Sequence, residues 1–309
     1  MLPTNPTSRV RLSRRSWLGA AAGVGALSLL FGKMAFASEP RKQLPYRIGC
    51  SGRSLHKLLP TRDKEGEISV EQFIEKARQW GCDCVELQDV GLRSYEADYL
   101  LSLKRAAFLQ SIELSGVSVY TNFVRTKEED RQKAIERAAE WIERTALLGA
   151  PLMVVFPGSN KSMQKERGVE LVAEALTTLA PTAANHGVML AIENHGMLID
   201  RAQQIAQVVE QVASPWVGAN LDTGNFARDA YENIERLAPY AVNCHLKMDT
   251  REGRKRHPAD LPRKFQMLRD AGYTGRVVLQ YELKGDAMAE VPKCLAEMQA
   301  LAAPTTAAS

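Results

Sequence analysis

No stretch rich in Pro, Gly or Ser interrupts the 309-residue sequence as a linker would, so a string of separate modules is excluded and one large domain is expected. A Gly-rich phosphate loop is missing as well. The first strand segment leads into Gly49-Cys50-Ser51-Gly52-Arg53, which does not match the phosphate-loop spacing of an open dinucleotide-binding sheet. Cysteine is sparse: Cys50, Cys82, Cys84, Cys244 and Cys294 are odd in number and scattered, which argues against a disulfide framework and for buried free thiols. A surplus of one charge is lacking too. Of 40 basic residues, Arg9, Arg11, Arg14, Arg15 and Lys33 fall in the first 37 positions, which hold no acidic group, and the remaining 35 face 36 acidic residues. The overall pI of about 8.7 is therefore no sign of a nucleic-acid partner.

The first 37 residues form a unit of their own. Ser13-Arg14-Arg15-Ser16-Trp17-Leu18 opens an apolar run over 18–31, and Ala35-Phe36-Ala37 follows it. A basic start, an apolar middle and a small-residue cleavage site make an export leader, and the paired arginines resemble a twin-arginine signal. The apolar run is shorter than the about 20 residues that a spanning helix needs. Residues 1–37 are thus expected to be a cleaved twin-arginine signal peptide, leaving a mature chain of 38–309 in the periplasm with no stable membrane anchor. Export of a chain already folded also suits free thiols.

After a polar lead-in, a strand-then-helix pattern repeats eight times. Strand segments are expected at 47–50, 84–87, 114–119, 152–156, 188–193, 217–222, 241–247 and 276–282. Between and after them run stretches whose apolar residues recur three or four apart, the period of an amphipathic helix. Gly81, Gly149, Gly187 and Gly272 stand as helix stops before strands. Eight alternations over this length fit an α/β protein of the closed (β/α)8 TIM barrel type, as a single domain, better than an open sheet. The small residues of 302–309 form a tail.

In such barrels chemistry sits at the C-terminal ends of the strands. The fifth segment ends Ile192-Glu193-Asn194-His195, the sixth Leu221-Asp222-Thr223-Gly224-Asn225, the seventh His245-Leu246-Lys247-Met248-Asp249 and the eighth Gln280-Tyr281-Glu282. Alternation puts Asn220 and Asp222 on one face, and His245, Lys247 and Asp249 on one face. Polar groups on a face built to be buried are costly unless something binds them. Glu193, Asp222, His245 and Glu282 at four successive strand ends make a ligand set for a divalent cation. Three carboxylates and an imidazole suit Mn²⁺ best, with Mg²⁺, Co²⁺ or Zn²⁺ as alternatives, whereas a structural zinc site would be rich in Cys and His.

These motifs, in this order, resemble the xylose-isomerase-like TIM-barrel superfamily of sugar isomerases and epimerases, which also includes endonuclease IV. The resemblance implies that Glu193 and Glu282 bind the metal and act as acid and base on opposite faces of a sugar, with Asp222 and His245 completing the site. It further implies that His195, Lys247 and Arg251 contact substrate, alongside Asn225 and Asp249, and that Glu86 is a recurrent acidic position. Asn225 is a departure, since some epimerases of this type carry His there. Dimers or tetramers are common in similar proteins, so a homo-oligomer is expected.

The chemistry stands apart from the resemblance. A proton beside a sugar carbonyl is weakly acidic, and a metal on the carbonyl and adjacent hydroxyl stabilises the enediolate. One carboxylate removes the proton and another returns it with inversion. The same base and metal would serve a lyase or dehydratase acting on a keto-sugar or glycoside, or a protein that only binds sugar. A nuclease is disfavoured, because that chemistry in the superfamily uses several zinc ions and more histidines. Of the other histidines, His56, His186 and His257 read as surface or capping groups, and Trp80, Trp141 and Trp216 as packing residues or platforms at the mouth. The basic run Arg251, Arg254, Lys255, Arg256 reads as a solvated loop or a grip on an anionic substrate.

Overall fold

A computed structural model describes residues 46–196 and 198–303, so the expected leader lies outside the described residues. Eight parallel strands close into a barrel: β1 (Arg47–Ser51), β2 (Cys84–Gln88), β3 (Glu113–Val119), β4 (Leu152–Val155), β5 (Met189–Glu193), β6 (Val217–Asp222), β7 (Ala241–Leu246) and, after a hairpin, β10 (Arg276–Leu279). Each strand pairs with its sequence neighbour in the barrel, and β10 returns to β1 with Arg47 beside Arg276 and Cys50 beside Leu279. The helices are α1 (Val70–Gln79), α2 (Ala97–Leu109), α3 (Glu128–Leu148), α4 (Lys165–His186), α5 (Ala202–Val212), α6 (Ala230–Leu237), α7 (Leu261–Asp270) and α8 (Ala287–Ala302).

The punctuation is local chemistry. Ser69 caps α1 by accepting from the Gln72 amide while the Gln72 side chain accepts from the Ser69 amide, a reciprocal box that satisfies two otherwise unpaired donors. Gly149 and Gly187 end α3 and α4 at φ +74° and +66°, where a Cβ would be strained. Among the described residues all five cysteines are free; four are buried and Cys294 is partly so.

Alternation sorts the barrel's side chains into two phases. Met153, Val155, Leu190, Ile192, Ala219 and Leu221 point outward into the large core between barrel and helices. Leu152, Val154 and Ala191 point inward and, with Phe156, Met189 and Val242, form a small apolar plug. Beyond that plug the inward phase turns polar, with Ser51, Glu86, Ser118, Glu193, Asn220, Asp222, Asn243 and His245 all buried. The fold thus sets its polar interior at the strands' C-terminal ends.

Two expected strands are shorter than the sequence pattern implies, and this moves site residues. The seventh ends at Leu246, and Asp249–Glu252 (β8) pairs antiparallel with Lys255–Pro258 (β9). Asp249 and Arg251 are therefore in a hairpin rather than continuing the face of His245. The basic run forms this hairpin, exposed along Lys255–Pro258, with Gly253 at φ +61° making its turn. The eighth barrel strand ends at Leu279, not 282. After Gln280 donates its amide to Leu246 O, the Tyr281 amide turns to the Ser54 hydroxyl, 2.9 Å away, and the chain leaves the sheet.

Candidate active site

Three strand ends converge. Glu193, Asp222 and His245 each offer one ligand atom to a group within 4.8 Å, and all three side chains are buried. The arrangement is held from several sides. Glu193 Oε2 accepts from Asn220 Nδ2 at 2.8 Å, and its Oε1 lies 3.0 Å from Asn225 Nδ2 and 3.1 Å from His195 Nδ1. Asn194 bonds reciprocally with Asp222's backbone, its side-chain oxygen accepting from the amide at 2.8 Å and its Nδ2 donating to the carbonyl at 2.9 Å.

His245 is clamped between two carboxylates. Its Nε2 stands 2.9 and 2.8 Å from the two oxygens of Glu86, which can only accept, so Nε2 carries a proton. Nδ1 then faces Glu193 Oε2 at 3.1 Å and the amide groups of Asn220 and Gln280 at 3.0 and 2.8 Å. Burial works against a charged imidazole, but Glu86 and Glu193 overcome it and hold His245 up to about 10. The His245 and His195 contacts in turn hold the Glu193 carboxyl well below the usual range against its burial.

The donor set fits a divalent cation. A carboxylate that fixes one imidazole nitrogen as a donor, leaving the other free to ligate, is the usual support of a metal-bound histidine. Asp222 Oδ2 is buried without a hydrogen bond; Lys247 Nζ is 3.1 Å away but misaligned, so the contact is an ion pair alone. Burial raises the Asp222 carboxyl, with Lys247 opposing. The Glu86 clamp should be felt in metal affinity. Replacing Glu86 with Gln is expected to weaken binding of Mn²⁺ about 10- to 100-fold, read by titration of the metal-free protein.

Glu282 stands apart from these three. Because the chain has left the barrel, its carboxylate meets Arg53 Nε and Lys247 Nζ, each at 2.7 Å. Burial would raise its carboxyl, but Lys247 and Arg53 bring it down to about 2. The strand-end position facing His245 belongs to Gln280 instead. The expectation of four converging ligands thus becomes three with an amide beside them. Lys247 also reaches Asn225 Oδ1 at 3.0 Å, and its charge is favoured by Asp222 and Glu282 against burial.

Asp249 faces away, its Oδ2 3.0 Å from Arg256. Its carbonyl is one of three acceptors for Lys264, a fully buried lysine whose Nζ also meets Thr223 Oγ1 and Lys247 O at 3.1, 3.1 and 2.9 Å. Burial brings Lys264 down to about 8. This one ammonium ties the chain after β6 to the chain after β7. Lys264→Met removes this donor from the Lys247 and Asp249 carbonyls, while Thr223 Oγ1 keeps the Lys247 amide, and is expected to cost about 1–3 kcal/mol, measured by urea unfolding. Arg251 makes no side-chain hydrogen bond or ion pair among the described residues.

A cavity of about 40 Å³ opens over the group, lined by Arg53, Gln88, Tyr120, Phe156, Glu193, His195, Lys247, Gln280 and Glu282. Arg53, Gln88, Tyr120 and Gln280 were not singled out in the sequence. The strand-end rule would have reached them, because each follows or closes β1, β2, β3 or β10. The aromatic rings at the mouth are Tyr120 and Phe156, stacked at 5.0 Å, while Trp141 lies on the buried face of α3.

The profile of the xylose isomerase-like TIM barrel matches residues 74–298. The chain belongs to that family. Among solved structures, D-psicose 3-epimerase from Clostridium cellulolyticum H10 with D-tagatose superposes with TM-score 0.64 at 22% identity, covering 82% of this chain and 96% of that one. The 3-keto-D-glucoside 4-epimerase of E. coli gives TM-score 0.66 at 14% identity, with coverage of 82% and 99%. A barrel protein of the same type from Mycobacterium smegmatis in complex with magnesium gives 0.65 at 16%, with coverage of 84% and 98%. In sequence the family member resembles probable endonuclease 4 of Cenarchaeum symbiosum, 25% identical over 40% of this chain and 47% of that protein. The probable endonuclease 4 of Oleidesulfovibrio alaskensis is 23% identical over 63% and 65%. The chain thus spans about half to two thirds of the length of these curated relatives.

Proposed function

We propose that this family member is a divalent-metal-dependent isomerase or epimerase of a sugar or sugar derivative, working by proton transfer beside a carbonyl. One observation carries the reading: Glu193 and Glu282 line the same small cavity from β5 and from the end of β10, strands separated in the barrel by β6 and β7. Two carboxylates facing each other across a substrate are what proton removal on one face and return on the other require. The structural neighbours that act on keto-sugars and keto-glucosides support it.

Glu193, Asp222 and His245 would hold the metal, with Gln280 beside them. Mn²⁺ suits a set of two carboxylates and one imidazole, and the magnesium complex of a neighbour is consistent with a hard cation. Bound there, the ion supplies the polarisation of carbonyl and hydroxyl that lowers the cost of charge developing on the substrate.

The protein's own groups do the rest. Glu193 takes the proton, its carboxylate fixed by Asn220, Asn225 and His195. On the other face Glu282 takes a proton from the Lys247 ammonium, 2.7 Å away, and returns it to the substrate. Asn225, where some epimerases carry His, positions both sides by donating to Glu193 and accepting from Lys247. Arg53 and His195 are placed to meet substrate oxygens.

The resemblance to endonuclease 4 does not extend the reading to nucleic acid. Only His195 and His245 of the five histidines stand at the site, and the chain beyond residue 37 carries no basic surplus. Incubation of metal-loaded protein with a panel of keto-sugars in D₂O, followed by NMR, tests the proposal. Deuterium at an inverted or shifted centre supports it; an unsaturated or cleaved product would instead make the protein a lyase.

A further inference from the structure

The small cavity over the two glutamates is the narrow part of a longer groove. Tyr120, Phe156 and His195 line both it and a second cavity of about 650 Å³, which runs over the ends of β3, β4 and β5 and the start of α3. That volume lies within the about 300–1,000 Å³ of sites that enclose drug-sized ligands, and it exceeds the cavity over Glu193.

Its walls are specific. Tyr120 is 53% exposed, although large aromatics are normally covered, and its ring lies on Phe156, which in turn meets the edge of His195 at 4.9 Å. Arg137 is anchored, ion-paired with buried Asp89 and bonded to the Tyr120 carbonyl, and so fixes the platform's backbone. Arg125 and Lys133 also line the cavity and make no ion pair among the described residues. Asp130 is the acidic group on the same wall. Gly158 keeps the floor low at φ +98°, where a Cβ would stand 2.1 Å from Asn122 Oδ1. A flat exposed ring beside two unpaired cations and one anion selects a ligand with a face that stacks on the ring and a negative charge.

We propose that this cavity is a second subsite, and that the substrate is a glycoside whose second unit is anionic and has a face that stacks on Tyr120: an acidic sugar ring or a carboxylated aromatic aglycone. This rests on the isomerase reading for the reacting unit, but the subsite is tested by binding alone. The metal-loaded protein is titrated calorimetrically with 4-carboxyphenyl glucoside against phenyl glucoside, with a uronate-ended disaccharide against its neutral counterpart, and with D-fructose. At least one acidic ligand is expected to bind about tenfold more tightly than its neutral partner, and whichever does so identifies the source of the charge. Arg125→Ala with Lys133→Ala should erase that preference. Tyr120→Ala should weaken both glycosides about fivefold, whereas the Arg125→Ala, Lys133→Ala double variant should leave D-fructose unchanged. Equal binding of acidic and neutral ligands, or a preference that survives the double variant, overturns the subsite. If the preference holds but no keto-sugar exchanges deuterium, the isomerase reading falls and the subsite stands; exchange on free sugars without the preference keeps the isomerase reading and removes the subsite.

Discussion

Glu193→Gln is expected to lower conversion of an active substrate about 10²- to 10⁴-fold, the usual cost of removing a positioned acid or base. It should also abolish deuterium exchange at the reacting carbon. The amide keeps the size of the side chain and one oxygen toward the metal group, and that oxygen can still accept from Asn220 or Asn225, which donate to different oxygens of the carboxylate. What is lost is the basic carboxylate. The control is metal content: a variant that keeps its ion yet stops exchanging protons has lost chemistry, not assembly. Near-native exchange by the metal-loaded variant would transfer the base's role to another group, with His195, 3.1 Å from Glu193, first in line.

Glu282→Gln should separate two events that Glu193→Gln stops together. Epimerisation is expected to fall by a similar factor of about 10² to 10⁴, because the far face loses its carboxylate. Exchange of the acidic proton with D₂O should persist, since one base on one face can remove and return it. The variant also frees Lys247 from one of its two ion pairs, leaving Asp222 at 3.1 Å. A variant that loses exchange and epimerisation equally would show that Glu282 acts through the position of Lys247 rather than on the substrate.

The barrel was legible because its signal is periodic: eight strand segments, helix-stopping glycines at Gly149 and Gly187, and polar residues at the last four strand ends. The centre was legible where chemistry coincides with that signal, as at Glu193, Asp222 and His245. It became obscure where a strand stopped early. Gln280-Tyr281-Glu282 continues the apolar Val277-Val278-Leu279, and nothing in the alternation marks the point at which Ser54, distant in sequence, captures the Tyr281 amide. That single hydrogen bond belongs to tertiary structure. It exchanges Glu282 for Gln280 beside His245. Asp249 was misplaced for a related reason, since a hairpin register is set by pairing with Arg256 and its neighbours, not by the strand before it. The first half of the chain is less legible: Arg53, Gln88 and Tyr120 sit at strand ends too, but singly, and an isolated polar residue there gives no pattern until the barrel closes.

On this reading one divalent ion sits among Glu193, Asp222 and His245, with the Nδ1 atom of His245 toward it. Electron spin echo spectroscopy of Mn²⁺-loaded protein carrying ¹⁵N-labelled histidine tests this directly. The expected result is coupling of the manganese to one histidine nitrogen, absent in His245→Ala and retained in His195→Ala. Tightly bound manganese with no histidine coupling, or coupling unchanged in His245→Ala, would contradict it.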